Sequence, residues 1–128
     1  MLDVARRLPF RSTAVWDVLA DTAVWPRWGP SIRRATLDEG GTWLGPASTG
    51  RVLTVFGLWV PFSVTEWEPG RRWAWKVAGI SATAHRVEPT EGGAACRAVI
   101  EIPSWTPLYA PLCWVALGRV GAVASSRR

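Results

Sequence analysis

The 128-residue sequence predicts an α+β fold in which one antiparallel sheet is covered by a helix formed late in the chain. Short stretches of alternating apolar and polar residues recur up to residue 102, and turns containing glycine or proline separate them, a pattern typical of antiparallel strands. Two short helical segments follow the first of these stretches. The last predicted element is apolar nearly all round, which is typical of an enclosed helix.

The first strand and both short helices lie in the first 30 residues. Alternation predicts a strand at residues 2–8. Ser12 is a good N-cap for a helix with a single apolar stripe. Asp21 ends this helix and is expected to cap a second one at residues 22–25, which Pro26 limits.

Six further strands and the final helix complete the prediction. The strands are expected at residues 31–37, 51–56, 60–67, 72–77, 80–89 and 94–102. The connection DEGGTWLGPASTG is marked as a loop by its glycines and proline. On the seventh strand, alternation places Cys96 and Ile100 on the inner face and Arg97 and Glu101 on the outer face. The final helix is expected from about residue 111 to residue 124.

The fourth and fifth strands, FSVTEWEPGRRWAWKV, form a predicted hairpin. Its EPGR sequence at residues 68–71 is a tight turn, because proline presets the first turn dihedral and glycine tolerates the positive one that follows. With proline and glycine as a two-residue loop, Glu66 lies opposite Trp73, and Trp67 falls on the outer face. The inner face then carries Phe62, Val64, Glu66, Trp73, Trp75 and Val77.

Composition limits the classes of function. A chain of this length buries roughly two-thirds of its unfolded surface without disulfides or metals, so a single domain at residues 1–128 is expected. Ten tryptophans indicate a large apolar interior, a large pocket, or both. The net charge of +5 comes from basic residues scattered as pairs rather than in a tract, which disfavours a nucleic-acid partner.

Cysteine usage and hydropathy indicate a reduced, soluble protein. Cys96 and Cys113 lie in apolar segments, where cysteine usually behaves as a small hydrophobe, so free thiols are expected. The first residues lack the apolar core of a signal peptide, which favours the cytoplasm. The most apolar segment, at residues 108–117, contains a proline and is shorter than the ~20 residues of a membrane span.

The order of these elements and several local motifs resemble the START-like (SRPBCC) superfamily, of the polyketide cyclase/dehydrase and lipid-transport type. The motifs are VWDVLAD at residues 15–21, WPRWGPSI at 25–32, the glycine before Arg51, VTEWEPGRRWAW at 64–75 and HRVEP at 85–89. The resemblance implies a helix-grip fold, in which a seven-stranded antiparallel sheet curls around a long C-terminal helix and encloses an apolar cavity. It also implies binding of lipids, sterols, hormones or polyketides, with catalysis in only some members.

Two titratable residues are candidates for chemistry in such a cavity. Glu66 is placed inward by alternation, where desolvation beside tryptophan would raise its pKa and make it a general acid or a hydrogen-bond donor. The competing interpretation is that Glu66 lies near the turn and reaches water or Arg71. His85, the only histidine, is either a proton shuttle or a structural residue.

The apolar lining of the cavity is predicted from the tryptophans and the final helix. The candidates, against an equally weighted interpretation as plain core, are Trp28, Trp73, Trp75, Tyr109 and Cys113. The sequence has no phosphate-binding glycine loop, no nucleophile elbow and no set of residues at metal-ligand spacing, so neither a metal nor another cofactor is expected.

Three functions therefore remain open at this point. The favoured one is binding of a small hydrophobic or aromatic ligand between the sheet and the final helix. The second is a polyketide cyclase or dehydratase that uses Glu66 and His85 as acid and base, which requires both side chains to point into one cavity. The third is an interaction module that forms a homodimer through the apolar sequence VFGLWVPF or the outer side of the last helix.

Overall fold

The computed structural model describes residues 2–103 and 110–127, which form one antiparallel sheet with helices packed on one of its faces. The strands are β1 (Leu2–Leu8), β2 (Ile32–Leu37), β3 (Thr49–Thr54), β4 (Trp59–Glu68), β5 (Arg72–Val77), β6 (Ile80–Thr90) and β7 (Ala95–Ile102). The α-helices are α1 (Ser12–Ala20), α2 (Trp25–Trp28) and α3 (Ala110–Ser126), with 3₁₀ turns at Thr22–Val24 and Glu91–Gly93. These elements confirm the predicted fold class.

The sheet order is β1-β7-β6-β5-β4-β3-β2, and all neighbours are antiparallel. The α1–α2 segment links β1 to β2, the two strands at opposite edges, so it crosses the sheet. The β3–β4 and β5–β6 connections, the first residue of β1 and the last residue of β7 share one end of the sheet, which we call the hairpin end. The β2–β3, β4–β5 and β6–β7 connections lie at the opposite end, and the α1–α2 segment runs from that end to the hairpin end, where β2 begins. The face that contacts α3 is called the inner face.

Helix α3 packs closely against β1 because two of its residues are glycines. A Cβ atom on Gly121 would lie 3.0 Å from Leu8 Cδ2, and one on Gly118 would lie 2.6 Å from Arg6 Nη1. The Arg6 guanidinium lies 4.5 Å from the Trp114 ring centroid and donates a hydrogen bond to the Trp114 carbonyl oxygen at 3.3 Å. This cation–π contact explains how an arginine occupies the helix-facing side of β1.

The short helices differ from the prediction at two caps. Ser12 is the first helical residue of α1 rather than its N-cap, which is Arg11. The Asp21 carboxylate does cap the following turn, accepting a hydrogen bond from the Ala23 amide at 3.1 Å. Pro26 does not limit a helix, because it lies in the first turn of α2, where the missing amide hydrogen has no partner to lose.

The β4–β5 hairpin contains a β-bulge that changes the predicted register. Val64 pairs with Trp75 as expected, but the register then shifts, so that Trp67 pairs with Trp73 and Glu66 with Ala74. The predicted orientation of the residues next to the β-turn was therefore wrong: Trp67 faces inward and Glu66 faces outward. The bulge allows the Trp67 ring to pack at 5.2 Å from the Trp16 ring of α1, while the carboxylate stays in water.

No helix within residues 2–103 and 110–127 combines the length and apolarity needed to cross a bilayer.

Gly50 is the glycine whose replacement should harm the fold most directly. It is buried on β3, where a Cβ atom would collide with the Thr36 carbonyl oxygen of β2 and lie 2.9 Å from the Phe62 ring of β4. We expect Gly50→Ala to lower the free energy of unfolding by about 1–3 kcal/mol or more, since overpacking forces strands apart. Urea unfolding measures this, with Gly45→Ala as the control, where the nearest atom is 3.7 Å away. Equal midpoints for the two variants would contradict the expectation.

Candidate ligand-binding site

A stack of three aromatic rings occupies the centre of the inner face. Trp73 of β5 lies between Trp25 of α2 and His85 of β6. Its ring centroid is 5.5 Å from that of Trp25 and 4.0 Å from that of His85, with interplanar angles of 14° and 24°. All three side chains are buried. The stack therefore fixes α2 to the central strands of the sheet.

Trp75 meets this stack edge-on. Its ring centroid is 5.5 Å from that of Trp73, at an interplanar angle of 88°, and 5.4 Å from that of Phe62, at 62°. The Trp25 indole nitrogen donates a hydrogen bond to the Leu19 carbonyl oxygen at 2.8 Å, which satisfies that buried polar group within the helical segment. The aromatic cluster is consequently held from both the sheet and the helices.

His85 is a buried neutral imidazole. Burial lowers its pKa to about 3, because the charged form would lose its hydration. The Thr83 hydroxyl accepts a hydrogen bond from the Trp75 indole nitrogen at 3.1 Å and lies 3.3 Å from His85 Nε2. A base with so low a pKa accepts protons poorly at neutral pH, so this imidazole is suited to hydrogen bonding and stacking rather than to proton transfer.

Two apolar spaces adjoin the aromatic cluster. The smaller has a volume of about 60 Å³, and its walls include Trp28, Trp73, Trp75, His85, Cys113 and Ala116. The larger, about 240 Å³, extends toward the hairpin end along the inner face of β2 to β6. Its walls include Ile32, Val52, Val60, Trp75, Val77 and Thr83. Ser31, Ile32, Trp75 and Thr83 border both spaces, which makes them neighbours.

The structure brings four of the predicted lining residues together. Trp28, Trp73, Trp75 and Cys113 all border the smaller space. Tyr109 lies outside the described residues. Burial raises the pKa of Cys113 to about 11, so its thiol is a neutral apolar wall. The indole rings fill most of the volume beside His85. The predicted lining residues are therefore part of the hydrophobic core and, at the same time, part of the wall of the smaller space.

Glu66 does not join this site. Its side chain is exposed on the outer face, where a carboxylate oxygen lies 3.2 Å from Arg72 Nη1. His85 projects from the inner face, so the sheet separates the two groups. The predicted acid–base pair is therefore not formed, and the reason is the bulge between Val64 and Glu66.

The outer face carries an ion-pair network that the sequence analysis missed. Arg72 and Arg86 lie directly opposite each other on β5 and β6, a placement that would be repulsive by itself. Glu101 of β7 lies diagonally between them, accepting hydrogen bonds from Arg72 at 2.8 and 3.1 Å and from Arg86 at 2.9 Å. Hydrogen bonds from Arg72 chiefly lower the pKa of Glu101 below its usual value. Arg86 also bonds Asp3 of β1 at 3.1 Å, which extends the network to the sheet edge.

Other wall residues of the site were also missed, and three of them had a signal in the sequence. Trp25 was assigned only to a helix end, although it lies one turn from Trp28. Val52 and Val60 follow the inward alternation of their strands and pair across the β3–β4 ladder. Their place in a pocket wall depends on the curl of the sheet, which alternation does not report.

Two other kinds of site, a metal site and a surface groove, are less well supported in the described chain. Among the described residues, His, Cys, Asp and Glu form no cluster of three that would hold a metal ion. A surface concavity of about 860 Å³ lies at the opposite end, between the β1–α1 connection and residues 92–94. Its walls include the charged residues Arg11, Asp17 and Arg127, so it lacks the mostly apolar lining typical of a small-molecule pocket.

An open antiparallel sheet that grips a C-terminal helix, with apolar space between them, defines the helix-grip class of fold. Residues 2–122 match the model of the family described as polyketide cyclase / dehydrase and lipid transport, and the chain belongs to this family. The predicted membership is thus confirmed. No curated protein matches the chain in sequence.

Solved structures share the fold at low identity. The aromatase/cyclase ZhuI from Streptomyces sp. R1128 has a TM-score of 0.72 at 14% identity, over 98% of this chain and 93% of that one. A hypothetical protein from Helicobacter pylori, jhp0584, has a TM-score of 0.73 at 16% identity, over 96% and 88% of the two chains. Protein NE0264 from Nitrosomonas europaea has a TM-score of 0.68 at 17% identity, over 98% and 94%.

The buried neutral His85 should make stability depend on pH. The unfolded chain takes up a proton near the ordinary histidine pKa of 6.5, whereas the folded chain does so only near 3. Stability is therefore greatest above pH 6.5 and falls as the pH falls toward 3, by roughly 1 kcal/mol between pH 7 and pH 5.5. Urea unfolding at the two pH values measures this. Because His85 is the only histidine, His85→Phe should abolish the difference; an unchanged difference in that variant would contradict the assignment.

The two outer-face glutamates should respond differently to neutralisation. Glu101→Gln leaves Arg72 facing Arg86 without a carboxylate between them, and we expect a loss of about 1–3 kcal/mol in the free energy of unfolding. Glu66→Gln changes an exposed ion pair and should cost less than about 0.5 kcal/mol. Urea unfolding of both variants at pH 7 tests this, and a larger loss for Glu66→Gln would show that the network is centred elsewhere.

Proposed function

We propose that this protein binds a small hydrophobic or aromatic ligand in the space between the inner face of the sheet and helix α3. The observation that carries the proposal is the pair of adjoining apolar spaces on the inner face: the smaller, about 60 Å³, is bordered by Cys113 and Ala116 of α3, and the larger, about 240 Å³, continues from it along the sheet. Pockets for small molecules are typically concave, mostly apolar and furnished with few polar groups. In the larger space the polar groups of the walls are hydroxyls, those of Ser31, Thr54 and Thr83.

The volume favours a compact ligand. Typical small-molecule pockets measure about 300–1,000 Å³, and the larger space, at about 240 Å³, lies just below this range. A ligand of two or three fused rings matches that size better than a sterol does. Trp75 forms a wall of both spaces and offers it an aromatic surface.

Binding is better supported than acid–base catalysis. A cyclase or dehydratase that used Glu66 and His85 would need both in one cavity, and they lie on opposite faces of the sheet. The likeness to an aromatase/cyclase supports the use of the same internal space for a ligand. It does not supply the acid and base that this chain would need.

A ligand panel with a pocket-filling variant tests the proposal. The probes are 2-naphthol, the anthraquinone emodin, oleic acid and cholesterol. A ligand present at about 100 times its Kd stabilises the folded state by about 2.7 kcal/mol, which thermal unfolding detects as a rise in Tm. We expect the rise with the aromatic probes rather than with cholesterol.

Val60→Trp should abolish the rise, because Val60 borders the larger space. The matched control is Leu53→Trp, since Leu53 pairs with Trp59 on the opposite face of the same hairpin. The control should retain the wild-type response. The proposal fails if none of the probes raises the Tm of the wild type, or if both variants respond as the wild type does.

A further inference from the structure

The β3–β4 hairpin presents an apolar tip to solvent. The exposed fraction of the side chain is 87% for Phe56 and 65% for Leu58, and Val55 and Trp59 are each 45% exposed. Isolated exposed apolar residues are common on proteins, but four within five positions form a contiguous patch. Packing within the described fold does not explain why this tip, residues 55–59, is apolar.

The tip projects beyond the rest of the sheet. The Ala78 amide of the β5–β6 connection bonds the Pro61 carbonyl oxygen at 2.8 Å, so that connection is level with Pro61. The four residues from Pro61 to Gly57 extend farther, by roughly 13 Å at strand spacing. On the other side, β2 accompanies the hairpin only as far as Ser31, whose carbonyl oxygen accepts from the Val55 amide at 3.1 Å. The tip therefore extends past the β5–β6 connection, and its residues beyond Val55 extend past Ser31.

Exposed cations flank the tip, and no described residue forms an ion pair with any of them. They are Arg33, Arg34, Arg51 and Lys76, all on strands β2, β3 and β5 near the hairpin end. The Arg51 guanidinium lies 5.9 Å from the Trp59 ring centroid, so charge and apolar surface adjoin. The sequence contains no carboxylate in residues 22–37, 40–65 or 69–87. In contrast, arginines Arg72, Arg86 and Arg97 elsewhere on the outer face are each paired with a carboxylate.

We propose that the tip is a docking site for an anionic phospholipid bilayer. Phe56, Leu58 and Trp59 enter the boundary between headgroups and acyl chains, where apolar and indole side chains are stabilised. Arg33, Arg34 and Arg51 lie against lipid phosphates and carboxylates, whereas Lys76, which pairs with Ser63 farther from the tip, contributes through the negative surface potential at longer range. The attachment is peripheral and reversible, because the tip is a single short loop.

The charge distribution favours a bilayer over a second copy of this chain. A two-fold contact through the tip would bring the same four cations of each copy together without a carboxylate to compensate them. An anionic membrane compensates them directly. The inference does not depend on a ligand in the internal pocket, and empty protein should bind.

Vesicle binding by the full chain tests the proposal. The probes are phosphatidylcholine vesicles with about one-third phosphatidylserine, and vesicles of phosphatidylcholine alone. Cosedimentation should show binding to the anionic vesicles that weakens as NaCl rises from about 0.1 M to 0.5 M. A Phe56→Cys variant labelled with the fluorophore NBD reports insertion by increased emission, since both native thiols are buried and stay unlabelled.

Matched variants separate apolar from electrostatic contributions. Phe56→Ser/Leu58→Ser should remove most binding, whereas Trp43→Ala, an exposed tryptophan in the β2–β3 loop, should leave it unchanged. Arg33→Gln/Arg34→Gln/Arg51→Gln should weaken binding about 100-fold, at about fivefold per arginine. The charge-matched control is Arg11→Gln/Arg71→Gln/Arg119→Gln, which removes three exposed arginines away from the tip and should change binding far less.

Two results would overturn the proposal. One is equal or absent binding to the two kinds of vesicle. The other is a wild-type dimer that Phe56→Ser/Leu58→Ser converts to a monomer, measured by sedimentation velocity, since the tip would then be an interface between copies of this chain. Loss of ligand binding in the Tm assay would leave vesicle binding unaffected.

Discussion

The stacking of Trp73 between Trp25 and His85 is the contact on which the inner side of this protein depends. It joins a four-residue helix, too short to be stable alone, to the two central strands of the sheet. With α2 fixed there, the chain can pass from β1 at one edge to β2 at the other. Trp75, which meets Trp73 edge-on, forms a wall of both apolar spaces.

A second constraint is the single extra residue in β4. Without it, Glu66 would lie among tryptophans, where a carboxylate would have to give up its charge or lose stability. With it, Trp67 enters the core and Glu66 joins Arg72 outside. The bulge thus keeps titratable groups off the inner face of this hairpin. His85, on the inner face of the neighbouring strand β6, is held neutral by its burial.

Much of the fold could be predicted from the sequence, because the pattern of alternation and turn residues is local. The seven strands follow from it, and the helices follow from capping residues and apolar stripes that are equally local. The placement of Glu66 could not be predicted, because one bulged residue reverses every side chain after it and leaves no mark in the composition. The Arg72–Glu101–Arg86 network was missed for a different reason: it depends on diagonal contacts across three strands, and those require the register of two separate ladders.

The Arg72–Glu101–Arg86 network also bears on how the outer face of the sheet is covered. Val99 and Ala84 lie on the outer face, yet each is only 1% exposed, although the described helices all pack on the other side of the sheet. Arg86 pairs with Val99 and Glu101 pairs with Ala84 in the β6–β7 ladder, and Glu101 bonds both Arg86 and Arg72, so charged side chains surround these apolar residues on the outer face. This single layer of side chains is held by ion pairs. High salt screens ion pairs, so it should weaken the packing of the outer face before it affects the aromatic cluster on the inner face.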